Sequence, residues 1–139
     1  MNKPKVLFVC IGNSCRSQMA EGFARALYGT QYEVLSAGSR PAGVVNALAI
    51  EAMREKGIDI SAHKSKSTHQ VPQERYEAVI TMGCGDACPH LPAKYRLDWQ
   101  IPDPVGRPIE TFRAVRDQVE REIKDLFQNL EKLSKTGHP

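Results

Sequence analysis

The sequence predicts an α/β fold in which a parallel sheet carries helices on its faces, and three observations lead there. Short apolar runs alternate with segments of helical periodicity. The first run, residues 6–10, is apolar throughout, as in a strand buried on both sides. A long amphipathic stretch closes the chain.

Each element follows from its own pattern. Residues 6–10 (VLFVC) read as the first strand, and the polar turn Gly12-Asn13-Ser14 ends it. From Ser17 the period becomes helical, with Met19, Phe23, Ala26 and Leu27 three and four apart, and Gly29 closes that helix. Residues 32–37 read as a second strand. Residues 44–56 read as a second helix, with Leu48, Ala49, Ala52 and Met53 on one face and Gly57 at its end. A third strand spans 76–82, and 91–98 hold a short fourth. From 108 to 133, Phe112, Val115, Val119, Ile123, Leu126, Phe127, Leu130 and Leu133 form a helical stripe. In such sheets ligands bind beyond the carboxyl ends of the strands, where Cys10 stands.

Composition excludes several function classes. The 139 residues, with no repeat or linker, suit one domain over 1–139. A net charge of +3 is too mild for nucleic acid and suits a small anionic substrate. No apolar run approaches the roughly 18 residues that span a membrane. The basic N-terminus leads into a short apolar run that stops at Gly12 without a cleavage-like segment, so a strand is expected there and the protein is expected in the cytoplasm. In such a compartment Cys10, Cys15, Cys84 and Cys88 point to catalysis or redox chemistry before a disulfide framework.

The chemistry is carried by Cys10, Ile11, Gly12, Asn13, Ser14, Cys15, Arg16 and Ser17, between a strand and a helix. A loop there can turn its backbone N–H groups toward one point, with the helix N-terminus adding positive potential. Arg16 supplies a planar fork for two oxygens of a tetrahedral oxyanion. The same field favours thiolate over thiol at Cys10. Gly12 and Asn13 tolerate left-handed backbone, and Ser17 is placed to donate to the sulfur. The alternative makes Cys10 a small buried hydrophobe and Arg16 a surface charge; the strand before and the helix behind weigh against it. The Cys15 side chain is read as packing only.

The segment VLFVCIGNSCRSQMAEG resembles the signature of the low-molecular-weight protein tyrosine phosphatase fold, and most closely the thioredoxin-coupled arsenate reductases built on it. The likeness continues through SAG at 36–38, AIEAMREKGIDIS at 49–61, VITMGCGDACP at 79–89, DPVG at 103–106 and FRAVRDQVEREI at 112–123. It implies a four-stranded parallel sheet flanked by helices. It also implies Cys10 as nucleophile, Arg16 as oxyanion clamp and Asp103, in its Asp-Pro, as general acid. Judged on its residues alone, Asp103 is a turn former, and Asp98 reads as a solvated strand-end charge.

Two features separate arsenate reduction, the detoxifying reaction, from the alternative of a tyrosine phosphatase. Val105 and Gly106 follow the Asp-Pro where phosphatases of this fold place ring-binding aromatics. Cys84 and Cys88 add a thiol pair, and two thiols becoming a disulfide supply the two electrons that arsenate needs. The implied cascade passes from Cys10 to Cys84 to Cys88, with thioredoxin or another thiol as reductant and no cofactor. A non-catalytic oxyanion-binding or redox-sensing module is the reading of another class, opposed by the intact set Cys10, Arg16, Ser17 and Asp103. Zinc on Cys84, Cys88 and His90 lacks a second ligand pair, so no metal is expected. Only Gly85, Asp86 and Ala87 separate Cys84 from Cys88, a shorter segment than in comparable relatives; if it is helical, a bridge between them requires the local helix to distort, and the alternative is that a small thiol resolves Cys84 in place of Cys88. Some relatives hold potassium on four side chains. Asn13, Glu21 and Ser36 match three of them, and the fourth position falls on Lys66, either an ammonium in the cation's place or a solvated charge.

Overall fold

The computed structural model describes residues 3–83 and 91–136. Strands β1 (Lys5–Cys10), β2 (Glu33–Gly38), β3 (Tyr76–Thr81) and β4 (Ala93–Asp98) form one sheet in the order β2-β1-β3-β4, and every pair is parallel. The register pairs Cys10 with Gly38, Val9 with Thr81, and Thr81 with Asp98. The carboxyl ends of all four strands therefore meet along one edge. β1 is central, which is why its run is unbroken: Val6, Leu7, Phe8 and Val9 are all buried.

Alternate β1 side chains serve opposite faces. Val6, Phe8 and Cys10 join the larger core with α1 (Arg16–Tyr28), α2 (Ala47–Arg54) and α3 (Ile109–Thr136). Leu7 and Val9 join a smaller cluster with Ala37, Val71, Tyr76, Val79 and Leu91. Fully burying each phenylalanine of the larger core, Phe8, Phe23, Phe112 and Phe127, stabilises the fold by about 2–3 kcal/mol.

The helices refine the sequence pattern. In α1, Met19 and Phe23 are buried, but Ala26 and Leu27 are exposed. The inward line runs instead through Ala20 and Ala24 to Tyr28, whose ring stacks on Phe127 at 4.4 Å. α2 begins three residues later than the apolar spacing indicates, because Asn46 Oδ1 accepts the N–H groups of Leu48 and Ala49 and fixes the start. Val44 is left 70% exposed outside it. In α3 the expected stripe is buried from Phe112 to Leu130, and Leu133 emerges at the surface. Among the described residues no helix is long and apolar enough to cross a membrane.

Candidate active site

The loop from Cys10 to Arg16 joins the central strand to α1 and has its carbonyl groups tied to the chain around it. The Cys10, Ile11, Gly12 and Ser14 carbonyls accept from the backbone N–H groups of Ser39, Arg40, Ala42 and Asn46. The Asn13 carbonyl accepts from Gln18 Nε2. In a planar trans peptide the following N–H points opposite to the carbonyl. The N–H groups of residues 11 to 15 therefore face away from those partners. Among them the Asn13 N–H lies 3.3 Å from Cys10 Sγ.

Tight backbone contact makes this curl possible. Gly38, paired with Cys10, has the Ile11 carbonyl oxygen 2.5 Å from where a Cβ would stand, so a larger residue there would push the loop out. Asn13 takes the left-handed conformation, at φ 47°, and Gly12 does not share it. The asparagine manages this because its side chain is fully engaged. Nδ2 donates to Ser17 Oγ at 2.8 Å and to Ser36 Oγ at 2.9 Å. Oδ1 accepts from the Lys66 N–H and from Gln18 Nε2.

The buried Cys10 sulfur lies 2.9 Å from Ser17 Oγ, the contact its sequence position indicates. Neighbouring Cys15 is buried too, and burial pushes its thiol up to about 11. It stays protonated at neutral pH, in keeping with a packing role. Arg16 is buried at the start of α1. Its Nη1 donates to the Ile101 carbonyl at 3.1 Å, and its Nη2 is 3.7 Å from Asp103 Oδ2. The guanidinium lies so close to Gly83, where φ is +80°, that a Cβ there would stand 2.7 Å from Nη1. Both readings of Asp103 have a counterpart. Its Oδ1 accepts the Val105 N–H at 3.1 Å in an Asx-type turn, while Oδ2 faces the Arg16 side. Asp98 ends β4 exposed to solvent, as its position indicates, and accepts from Thr81 Oγ1 and Gln100 Nε2.

Behind the loop sits a buried carboxylate, Glu21. Its Oε1 accepts from Ser36 at 2.5 Å and lies 3.8 Å from Lys66 Nζ. Its Oε2 pairs with Arg25 at 2.7 Å. Burial lowers the Lys66 ammonium from its ordinary value, and Glu21 opposes that shift. Asn13, Glu21, Ser36 and Lys66 thus converge as the resemblance implies, with a cationic side chain at the fourth position. Among the described residues no group of three His, Cys, Asp or Glu side chains could hold a metal.

The Asn13 N–H and Ser17 Oγ thus meet the Cys10 sulfur, and Arg16, at the start of α1, stands beside Asp103. Cys84, Cys88 and His90 lie outside the described residues. Four participants have no signature in the sequence: Gln18, His63, Gly83 and the Ile101 carbonyl. The arrangement can hold a tetrahedral oxyanion on loop amides and an arginine fork, against a sulfur nucleophile, with a carboxyl group beside the fork.

Comparison with known proteins places this geometry. The family model described as low molecular weight phosphotyrosine protein phosphatase matches residues 5–136. Arsenate reductase 2 of Staphylococcus epidermidis is 43% identical over 130 residues, covering 91% of this chain and 98% of the relative. A solved arsenate reductase in its phosphate-binding state superposes with a TM-score of 0.84 at 41% identity, covering 94% of this chain and 99% of the other. A thioredoxin-dependent arsenate reductase of Corynebacterium glutamicum gives a TM-score of 0.77 at 32% identity, covering 94% of this chain and 63% of that one.

Proposed function

The chain belongs to the low molecular weight phosphotyrosine protein phosphatase family, and from that premise we propose that it reduces arsenate to arsenite in the cytoplasm, with electrons drawn from its own cysteines. The observation that carries this reading is the Cys10 sulfur, held by the Asn13 N–H and Ser17 Oγ in the loop that leads to Arg16. The high identity to arsenate reductases, and Val105-Gly106 after the Asp-Pro, favour an inorganic oxyanion over a phosphotyrosine ring.

The steps balance. The Cys10 thiolate forms a sulfur–arsenic(V) bond, and the oxygen it displaces leaves as water, protonated by Asp103. The Cys84 thiolate then attacks the Cys10 sulfur. A disulfide forms, the sulfur–arsenic bond breaks, and its electron pair stays on arsenic, which leaves as arsenite. Cys88 attacks Cys84 and frees Cys10, and an external dithiol, thioredoxin or its equivalent, reduces the remaining disulfide. Two thiols lose two electrons and arsenic gains two. Arg16 and the amides of Ile11 to Ser17 hold the oxyanion through the first step. Gly83, which precedes Cys84 in the sequence, lies against the Arg16 guanidinium.

The two chemistries separate in one experiment. In the double variant C84S/C88S, arsenate turnover is expected to fall to background. Slow hydrolysis of a small aryl phosphate, which needs only Cys10, Arg16 and Asp103, is expected to persist at the parent's rate. Loss of both activities, with the circular dichroism spectrum unchanged, would make the pair structural.

The Lys66 ammonium, beside Glu21, stands in for a cation. Activity and melting temperature are then expected to be indifferent to exchange of potassium for sodium at fixed ionic strength. Lys66→Asp, which restores a hard oxygen ligand, is expected to create a potassium dependence. Stabilisation of the parent by potassium alone would contradict the assignment.

A further inference from the structure

We propose that Gln18 is a positioning residue for the nucleophile loop, and that His63 in turn holds Gln18. Neither side chain reaches the sulfur, and neither belongs to the set that binds the oxyanion. Both act through Asn13. The proposal rests on the reading of Cys10 as nucleophile given above.

The hydrogen bonds fix every orientation in the chain. Gln18 is fully buried, and its Nε2 faces three acceptors: the Asn13 carbonyl at 3.1 Å, Asn13 Oδ1 at 3.1 Å and the Lys64 carbonyl at 3.0 Å. None of those oxygens can donate, so the amide nitrogen faces them and Oε1 is turned the other way. There it meets His63 Nδ1 at 3.1 Å. Since Oε1 only accepts, Nδ1 carries the proton. Burial holds His63 below its ordinary basicity, against the pull of Glu21, so the ring is neutral near pH 7.

Asn13 is the residue that needs holding. Its positive φ is uncommon for a side-chain-bearing residue, and that conformation aims its N–H at the Cys10 sulfur. Gln18 grips both the carbonyl and the side-chain oxygen of this one residue. With Oδ1 pinned, Nδ2 points to Ser17 Oγ and occupies an acceptor site there. The Ser17 hydrogen is then directed to the sulfur when it is a thiolate. A link from His63 through Gln18, Asn13 and Ser17 to Cys10 therefore runs with one sense of donation after Gln18, each donor set by the one behind it. The charged groups around its outer end are Glu21, Arg25, Lys66 and Asp59. They come from α1 and from the segment after α2.

The experiment reads the sulfur itself. Fully reduced, full-length parent and Gln18→Met are alkylated with iodoacetamide, and Cys10 modification is followed by peptide mass spectrometry across pH. Methionine keeps the length of the side chain and removes its amide. Cys10 in the variant is expected to react about tenfold more slowly at pH 7, the scale of one hydrogen bond to a charged group. The two rates are expected to converge at high pH, where every thiol is ionised. A parent-like rate at pH 7 would overturn the proposal, as would a difference that persists unchanged at high pH, which would report only access. The pair His63→Asn and His63→Leu decides the matter should Gln18→Met not fold. Asparagine can place an N–H near Nδ1 and is expected to keep the parent rate, while leucine is expected to slow it; equal rates in the two would overturn the proposal. Alkylation needs no arsenate, so these outcomes stand whether or not the chain reduces arsenate. Absence of arsenite from the parent would remove the substrate and leave the role of Gln18 to be decided here.

Discussion

Replacing Cys10 with serine is expected to leave arsenate turnover and aryl phosphate hydrolysis both at background, a loss of at least about 10⁴-fold. The substitution is nearly isosteric, so the loop should persist: its carbonyls are tied to Ser39, Arg40, Ala42 and Asn46, none of which touches the sulfur. What disappears is ionisation. The Asn13 N–H and Ser17 Oγ are two donors suited to stabilise a thiolate, and they cannot make an alkoxide of a serine hydroxyl at neutral pH. Among the described residues no histidine, lysine or carboxylate makes a hydrogen bond to the Cys10 sulfur, so a serine there gains no general base from them. Oxyanion binding should survive, because the amides and Arg16 remain. Measured phosphate binding with turnover gone is the expected signature. Substantial residual reductase activity would remove Cys10 from the chemistry.

Arg16→Lys is expected to lower turnover by about 10²–10³-fold, the scale seen when one preorganised oxyanion donor is removed. A lysine keeps the charge and loses the fork. The guanidinium serves two partners besides the oxyanion, since Nη1 holds the Ile101 carbonyl and Nη2 faces the Asp103 carboxylate. Ile101 lies two residues before Asp103, so the same side chain that meets the oxyanion also ties down the loop carrying the acid. An ammonium has one point of charge to divide among these partners, and it leaves unfilled the space that Gly83 concedes by lacking a Cβ. Phosphate binding measured by calorimetry is expected to weaken along with turnover. Binding within twofold of the parent would show that the fork is not what holds the oxyanion.

The fold was legible because its signals are local and repetitive. An unbroken apolar run of five residues, closed by a polar Gly-Asn turn, fits a strand shielded on both faces, and β1 sits between β2 and β3. The long stripe from Phe112 to Leu130 survives intact because a helix of that length repeats its period many times. Where the pattern was short it misled. Ala26 and Leu27 keep the spacing of Met19 and Phe23, yet the tertiary contact that decides the end of α1 is the stacking of Tyr28 on Phe127, nearly a hundred residues away in the chain.

The site divided in the same way. Cys10, Arg16 and Ser17 fall within eight residues of sequence, so their spacing announces them. Asp103 needed the resemblance, because an aspartate before proline forms turns in many proteins, as this one also does. Gln18 and His63 could not be read at all. They are 45 residues apart, and what joins them is one hydrogen bond made across the fold. At Gly83 the approach of the Arg16 guanidinium is what excludes a side chain, and nothing in the sequence announces it. Contacts between distant segments leave no period and no motif.

The most direct test of the central claim is arsenite formation by the full-length reduced protein supplied with thioredoxin, thioredoxin reductase and NADPH, with arsenite counted against NADPH consumed. The expected result is one arsenite for each NADPH oxidised, because each turnover moves two electrons from a thiol pair to arsenic. A glutathione and glutaredoxin system run in parallel identifies the donor if thioredoxin does not serve. Hydrolysis of aryl phosphate with no arsenite from either system would contradict arsenate reduction and return the chain to phosphate chemistry alone.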